Sequence, residues 1–245
     1  MLPIDEPPLT PELIRSRYDA LLQRLRAAAS SEGRDPNGFR MVAVTKGFGT
    51  DVVHATLAAG LTMLGENRVQ EAAAKVEAAP RAEWHMVGQL QSNKVRAALR
   101  LFSVIHSVDS IGLLERIDRI AHDDGHRPQV LLQVDMSGRE GRAGFSEAEF
   151  ADLAARTDGP LVTALGSLAA ARPIGLMTVA PVDPGRERHA FARLRDLRDA
   201  LARTSGLSLP ELSMGMTADA EAAVREGATL VRIGTALFGP RPHRD

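Results

Sequence analysis

The sequence contains no cysteine among its 245 residues, so disulfides, thiolate metal ligands and cysteine nucleophiles are all excluded. It also lacks any run approaching the ~20 consecutive apolar residues that a membrane-spanning helix needs. The first residues show no basic stretch followed by an apolar one, so no signal peptide is predicted. The formal net charge of −1 provides no overall field that would attract nucleic acid or an anionic membrane. Together these absences favour a cytoplasmic protein with neither kind of partner.

Two residue types are present but scarce. Of the 30 basic residues only three are lysines, namely Lys46, Lys75 and Lys94, and Tyr18 is the single tyrosine. Chemistry that requires a side-chain amine or a phenol is therefore confined to these four positions.

Eight short apolar runs alternate with longer amphipathic or alanine-rich segments. The runs are residues 40–45, 61–64, 84–87, 103–106, 130–134, 174–179, 212–214 and 230–233. Strands joined by helices are typical of a parallel sheet, and eight such units in a chain of this length predict a (β/α)8 barrel of the α/β class. An open doubly wound sheet gives the same local pattern, although no Gly-x-Gly-x-x-Gly follows the first run.

The domain prediction is one barrel over residues 10–240, after a flexible leader at 1–9 and before a short tail at 241–245. An extra N-terminal helix is expected, because Thr10-Pro11-Glu12 combines an N-cap, a first-turn proline and a first-turn acid. Residues 160–173 leave room for an additional short element.

Lys46 stands at the end of the first apolar run, where a barrel places its reactive groups. An ammonium there is costly unless it is exposed in a cleft, paired or chemically used. A lysine that simply reaches solvent is the alternative. The rarity of lysine favours chemistry, because only an amine forms an imine with an aldehyde. Lys75, within EAAAKVEAA, is expected on a solvated helix face, and Lys94 on the surface or at a cleft rim.

Two loops near the end of the chain predict an anion site. Residues 213–217 (SMGMT) follow the seventh run, and Gly234-Thr235 follows the eighth. Glycines allow close backbone approach, hydroxyls donate hydrogen bonds, and the corresponding loops of barrels often bind phosphate. Ordinary turn and cap chemistry would explain either loop alone. A phosphate site opposite an amine indicates a phosphorylated aldehyde ligand.

Other polar residues near strand ends are ambiguous. Arg232 interrupts the last run, where either a ligand contact or a pairing with Asp135 or Glu66 would account for it. His85, in the third run, is expected to be a hydrogen-bonded core residue. No spacing typical of metal ligands or of a Ser-His-Asp triad is present.

An ordered set of motifs resembles the pyridoxal 5′-phosphate (PLP) homeostasis protein family. From about residue 11 to 240 it comprises AVTK ending at Lys46, GEN at 65–67, WH at 84–85, LQSNK at 90–94, GLM at 175–177, LSMGMT at 212–217 and VRIGT at 231–235. The resemblance implies a single-domain barrel of the alanine-racemase kind (PLP fold type III), with PLP held as a Schiff base on Lys46.

The resemblance also implies roles for seven further residues. Ser213, Gly234 and Thr235 would hold the phosphate, supported by the backbone of Met214 and Gly215. Asn67 would lie beside the cofactor ring, and Arg232 would face the pyridine nitrogen. The family is associated with vitamin B6 and amino-acid homeostasis and shares no established reaction, so no catalytic residue and no metal is predicted.

Three functional hypotheses remain at this point. The first is a non-catalytic, monomeric PLP carrier that supplies PLP-dependent enzymes. A racemase needs a base on each face of the cofactor, whereas the single tyrosine, Tyr18, is in the first predicted helix and no second domain is expected to bring another over the site. The second is a single-domain racemase in which Lys46 and either His85 or Lys94 are the two bases. The third is a Schiff-base aldolase for a sugar phosphate, with no bound cofactor.

Overall fold

The protein is described from a computed structural model that covers residues 8–137, 141–181 and 185–241. Residues 1–7 and 242–245, which make up most of the predicted leader and tail, lie outside this description. No helix within it is both long enough and apolar enough to span a bilayer.

Eight parallel strands close into a barrel, as the pattern of apolar runs predicts. The described residues form nine strands, of which all but β6 belong to the barrel. In chain order they are β1 (Arg40–Val44), β2 (Met63–Glu66), β3 (Glu83–Met86), β4 (Val104–Val108), β5 (Gln129–Asp135), β6 (Phe145–Ser146), β7 (Arg172–Met177), β8 (Glu211–Ser213) and β9 (Leu230–Ile233). Neighbours around the barrel follow the order β1-β2-β3-β4-β5-β7-β8-β9, and β9 pairs again with β1. The two-residue strand β6 pairs with β5 alone and stays outside this circuit.

Helices connect most of the strands and surround the barrel. They are α1 (Pro11–Ser30), α2 (Thr50–Ala58), α3 (Val69–Ala78), a 3-10 turn (Ser92–Lys94), α4 (Val95–Leu99), α5 (Ile111–Asp124), α6 (Glu147–Ala155), α7 (Pro160–Gly166), α8 (Glu187–Ser205), α9 (Ala220–Arg225) and α10 (Thr235–Phe238). Helix α1 is the expected extra element, and the Thr10 hydroxyl caps it by accepting from the Leu13 N–H at 3.3 Å. Helix α7 is the additional element that residues 160–173 left room for.

Apolar residues fill two distinct regions. A large cluster packs the outer faces of the strands against the helices. A small cluster of Val104, Leu131, Ile174 and Met177 is separate from it, as expected for side chains that point from β4, β5 and β7 into the barrel. The rest of the interior is polar, with side chains from β3, β4, β8 and β9. There the buried side chains include His85, His106, Ser213 and Arg232.

Candidate functional site

Four neighbouring strands bring the predicted site residues to one end of the barrel. β2, β1, β9 and β8 are adjacent in that order, and parallel strands end at the same side. The predicted residues all lie in or just after these strands: Lys46, Asn67, Ser213, Met214, Gly215, Arg232, Gly234 and Thr235. The sequence prediction of a shared location at the carboxyl ends therefore agrees with the fold.

Lys46 presents an amine that has no hydrogen-bond acceptor among the described residues. Its side chain is half-buried, one residue beyond the buried Thr45. Burial lowers the pKa of Lys46, and the positive charges of Arg241 and Arg232 lower it further, while the Glu66 carboxylate opposes them. A larger fraction of this lysine is therefore an uncharged, nucleophilic amine than of an ordinary surface lysine.

A buried ion pair lies next to Lys46. Glu66 is fully buried, and its Oε1 accepts from the Thr45 hydroxyl and from Lys75 Nζ, both at 2.6 Å. Lys75 Nζ also donates to the Thr45 carbonyl at 2.9 Å. The second carboxylate oxygen, Oε2, has no protein partner in the described part of the chain. The pair fixes the backbone immediately before Lys46 and leaves one acceptor in the interior.

The expectation of a solvated Lys75 was wrong. Its side chain is only 6% exposed, because α3 turns this position toward the barrel and not toward water. The neighbouring buried residue on α3 is Ala72, whose small side chain allows a close approach. Lys75 is therefore not a surface residue but one partner of a buried ion pair with Glu66.

Arg232 lies inside the barrel, 5% exposed. Its Nη1 donates to Ser213 Oγ at 2.6 Å and its Nη2 to the Thr178 carbonyl at 2.7 Å, so neither Asp135 nor Glu66 is its partner. Its Nε makes no hydrogen bond to any described residue, which leaves that N–H for a ligand. Burial lowers the pKa of Arg232 to about 10 and the carboxylate of Asp219 opposes this, so the guanidinium remains charged at neutral pH.

The loops after β8 and β9 lie against each other. The Thr217 hydroxyl accepts from the backbone N–H of Ala236 at 3.3 Å, which joins the first loop to α10. Gly215 has φ +90°, and a Cβ there would lie 2.5 Å from the Cβ of Ala223, so both conformation and space require glycine. The two loops thus form one surface, as the phosphate-site prediction requires.

Ser213 has a different environment from the other loop residues. Its side chain is fully buried, and its Oγ lies 2.6 Å from Arg232 Nη1 and 2.8 Å from His106 Nδ1. The exposed hydroxyls on this surface belong to Thr217 and Thr235. The sequence analysis quoted Thr217 only within its loop, and nothing in it singled out His106.

Asn67 lines a cleft of about 380 Å³ beside the site, together with Lys94. Gly88 borders the same cleft, and a Cβ at Gly88 would lie 2.3 Å from the Asn67 carbonyl oxygen. This close approach fixes the path of the loop after β2. The prediction that Lys94 lies at a cleft rim agrees with this position. Within the described ranges, no three histidine, aspartate or glutamate side chains group as a metal site would require.

Comparisons with known proteins identify relatives over nearly the whole chain. The sequence profile of the family described as alanine racemase, N-terminal domain, matches residues 17–242. A pyridoxal phosphate homeostasis protein of Synechocystis is 39% identical over 211 residues, which is 84% of this chain and 93% of the relative. The protein of the same name from Pseudomonas aeruginosa is 40% identical over 227 residues, or 90% and 92% of the two chains.

Solved structures agree with this relationship. PipY of Synechococcus elongatus, solved without PLP, has a TM-score of 0.81 at 38% identity and covers 92% of this chain and all of its own. The same protein solved with PLP bound has a TM-score of 0.78 at 36% identity. An alanine racemase of Clostridium difficile, at 15% identity and a TM-score of 0.64, shares the fold over 57% of its length.

The Glu66–Lys75 pair generates a stability prediction. Lys75→Met leaves the carboxylate of Glu66 buried without a counter-ion, and we expect the free energy of unfolding to fall by ~3–5 kcal/mol, the usual cost of breaking a buried pair. Urea unfolding followed by circular dichroism measures this. Lys94→Met removes a lysine from the cleft rim and serves as the matched control. The double variant Glu66→Gln with Lys75→Met should recover much of the loss, and equal destabilisation by both single lysine variants would contradict the assignment.

Proposed function

This chain belongs to the alanine racemase N-terminal domain family and is a relative of the pyridoxal phosphate homeostasis proteins, and from that premise we propose that it binds PLP through Lys46 and acts in vitamin B6 and amino-acid homeostasis. The observation that carries the proposal is a half-buried amine without a partner among the described residues, close enough to the buried Arg232 for that charge to lower its pKa. When bound, PLP supplies an aldehyde carbon with which such an amine forms an imine.

The donor set around the site fits the cofactor. Lys46 has a lowered pKa and no competing acceptor, which suits it to an aldehyde. Arg232 is held on two sides by Ser213 and Thr178, which leaves its Nε–H to donate to a ring nitrogen of the cofactor, a group that can only accept. Asn67 lies at the edge of the adjoining cleft, beside the place where a ring would lie.

The phosphate is assigned to the surface made by the two joined loops. Thr217 and Thr235 are exposed there, and Gly234 leaves its backbone partly accessible, whereas Gly215 is buried and shapes the loop. Glycine-rich loops with hydroxyls bind phosphate through donors that water would otherwise satisfy. Ser213 contributes through its backbone position at the end of β8, because its hydroxyl is already shared by two protein partners.

We further propose that the protein holds PLP without turning over a substrate of its own. Tyr18 shares a cleft with Arg40 and Met63, which begin β1 or β2, so it lies at the opposite end of the barrel from Lys46. His85 is 1% exposed and bonded to His106, which leaves it unable to reach a substrate. Neither Tyr18 nor His85 can therefore act as a second base opposite Lys46.

Lys94 supports the alternative function, a single-domain amino-acid racemase. It lines the cleft that also contains Asn67, and it is partly accessible. To act as the second base, the Lys94 side chain would have to move from this cleft to a position opposite Lys46. As a carrier, by contrast, the protein would act as a monomer and release PLP to PLP-dependent enzymes, and Lys94 would lie on the path of exchange.

The first prediction from the proposed function concerns the bond between Lys46 and the cofactor. Purified wild-type protein should absorb in the visible range after incubation with PLP, and borohydride should fix the cofactor on the peptide that contains Lys46. Lys46→Ala should lose both signals while circular dichroism shows an intact fold, because alanine has no amine. Lys94→Ala is the control and should retain both. Fixation on Lys94 or Lys75 in the wild type would overturn the proposal.

A second prediction separates the carrier from the racemase. Amino acids incubated with the PLP-loaded protein in deuterium oxide should exchange their α-hydrogen far more slowly than ~1 per second, an ordinary enzyme rate. Proton NMR of alanine and serine measures the exchange. Exchange at enzyme rates that is abolished by Lys94→Ala would establish the racemase instead.

A third prediction tests the charge environment of Lys46 in the cofactor-free protein. Arg241 lies over Gly47, where a Cβ would be 3.1 Å from its Cδ, and its charge lowers the pKa of Lys46. Arg241→Ala should therefore raise that pKa, so the midpoint of Lys46 acetylation with pH moves to higher pH. Mass spectrometry of the labelled peptide measures it, with the exposed Arg119→Ala as control. An unchanged or lower midpoint would contradict this electrostatic account.

A further inference from the structure

A line of polar groups crosses the barrel interior beneath the proposed site, and its first four members are joined by hydrogen bonds. Arg232 Nη1 lies 2.6 Å from Ser213 Oγ, and Ser213 Oγ lies 2.8 Å from His106 Nδ1. His106 Nε2 lies 2.8 Å from His85 Nδ1, and His85 Nε2 lies 3.3 Å from Glu83 Oε1. The five residues come from β9, β8, β4 and β3, so the line spans separate parts of the sequence.

The chemistry of its first member determines the direction of every hydrogen bond in the line. An arginine side chain has donors and no acceptor, so Ser213 Oγ must accept from Arg232. The serine hydroxyl then donates its own hydrogen to His106 Nδ1. A neutral His106 with Nδ1 as acceptor carries its proton on Nε2 and donates to His85 Nδ1. His85 in turn carries its proton on Nε2, which lies 3.3 Å from the Glu83 carboxylate without the geometry of a hydrogen bond.

Burial favours this neutral state at His106. His106 is completely buried, and burial lowers its pKa well below the ordinary value, with further lowering by the positive charge of Arg232. A protonated His106 would also have no acceptor nitrogen for Ser213. The direction of donation is thus the same from Arg232 to His85, and each of these groups has one assigned role.

The far end of the line opens at the other mouth of the barrel. Glu83 is the first residue of β3, and its side chain is 43% exposed. It borders a cleft of about 250 Å³ whose lining includes Arg40, Arg172 and His85. The line therefore connects an accessible carboxylate at the amino-terminal end of the strands with the arginine at their carboxyl-terminal end.

We propose that His106 and His85 are positioning residues, which hold Arg232 through Ser213 so that its Nε–H points at the proposed ligand. The proposal rests on the proposed function only for the identity of that ligand. Arg232 has two anchors, the carbonyl of Thr178 and the hydroxyl of Ser213. The carbonyl is fixed by the backbone, whereas the hydroxyl can rotate. His106 removes that freedom by accepting the serine hydrogen.

The first experiment examines the cofactor-free protein. Nitrogen-15 NMR of labelled histidine distinguishes neutral Nε2–H, neutral Nδ1–H and charged imidazole, and His106→Gln and His85→Gln assign the two signals. At pH 7 both residues should be neutral Nε2–H. A charged ring or an Nδ1–H tautomer at either position would contradict the assigned direction of the hydrogen bonds in the line. This result does not depend on PLP, so it stands whether or not the proposed function fails.

The second experiment tests the positioning role in the PLP-loaded protein. His106→Leu cannot accept from Ser213, and we expect PLP affinity to fall about 10-fold, the upper end of what the loss of one neutral hydrogen bond produces. The pH midpoint of the visible band should also rise, because a less fixed positive charge opposes protonation of the bound cofactor less effectively. His106→Gln retains an acceptor and a donor and should restore most of both values.

Ser107→Ala supplies the matched control. Ser107 is the next residue on β4, is fully buried, and has a hydroxyl without a partner in the described chain. Removing this hydroxyl changes β4 but none of the hydrogen bonds in the line. Affinity and band should be unchanged. A His106→Leu protein with a wild-type band and affinity, or a His106→Gln protein as impaired as His106→Leu, would overturn the positioning role. A wild-type protein without any visible band would refute only the proposed function. The tautomer measurement would still test the hydrogen-bond directions in the line.

Discussion

A positive charge enclosed in the barrel interior governs the chemistry of the whole site. Arg232 is buried, yet its pKa of about 10 keeps it charged at neutral pH. An enclosed guanidinium must have its donors satisfied, and this requirement accounts for the carbonyl of Thr178 and the hydroxyl of Ser213 beside it. The same charge lowers the pKa of Lys46 and of His106. One residue thus helps to keep an amine reactive and a histidine neutral.

The architecture could be predicted from the sequence because burial on both faces leaves a local signal. Strands surrounded by helices outside and side chains inside are continuous apolar runs, and each of the eight predicted runs overlaps a barrel strand. The rarity of lysine likewise directed attention to Lys46. The two-residue strand β6 escaped prediction because a pair of residues has no periodicity, and α7 was anticipated only as an extra element.

Relations between distant residues could not be predicted in the same way. Lys75 was misplaced because its alanine-rich helix has no strong apolar face to show which side meets the barrel. His85 and His106 are 21 residues apart, and their contact depends on the register of β3 with β4, in which His85 pairs with Val104. A shift of one residue would have turned one ring outward. Such a register is a property of the closed barrel, which no short stretch of sequence encodes.

The geometry around Arg232 also bears on why a PLP-binding barrel would hold its cofactor and do little chemistry with it. A guanidinium with a pKa of about 10 retains its proton, so a ring nitrogen that accepts from it stays unprotonated. An unprotonated ring is a weaker electron sink for a carbanion, which disfavours removal of an α-hydrogen. The same contact adds a charge-assisted hydrogen bond, which favours tight binding. Under the proposed function, strong retention and low reactivity would both follow from Arg232, and the hydrogen-bonded groups behind it would hold that residue in place.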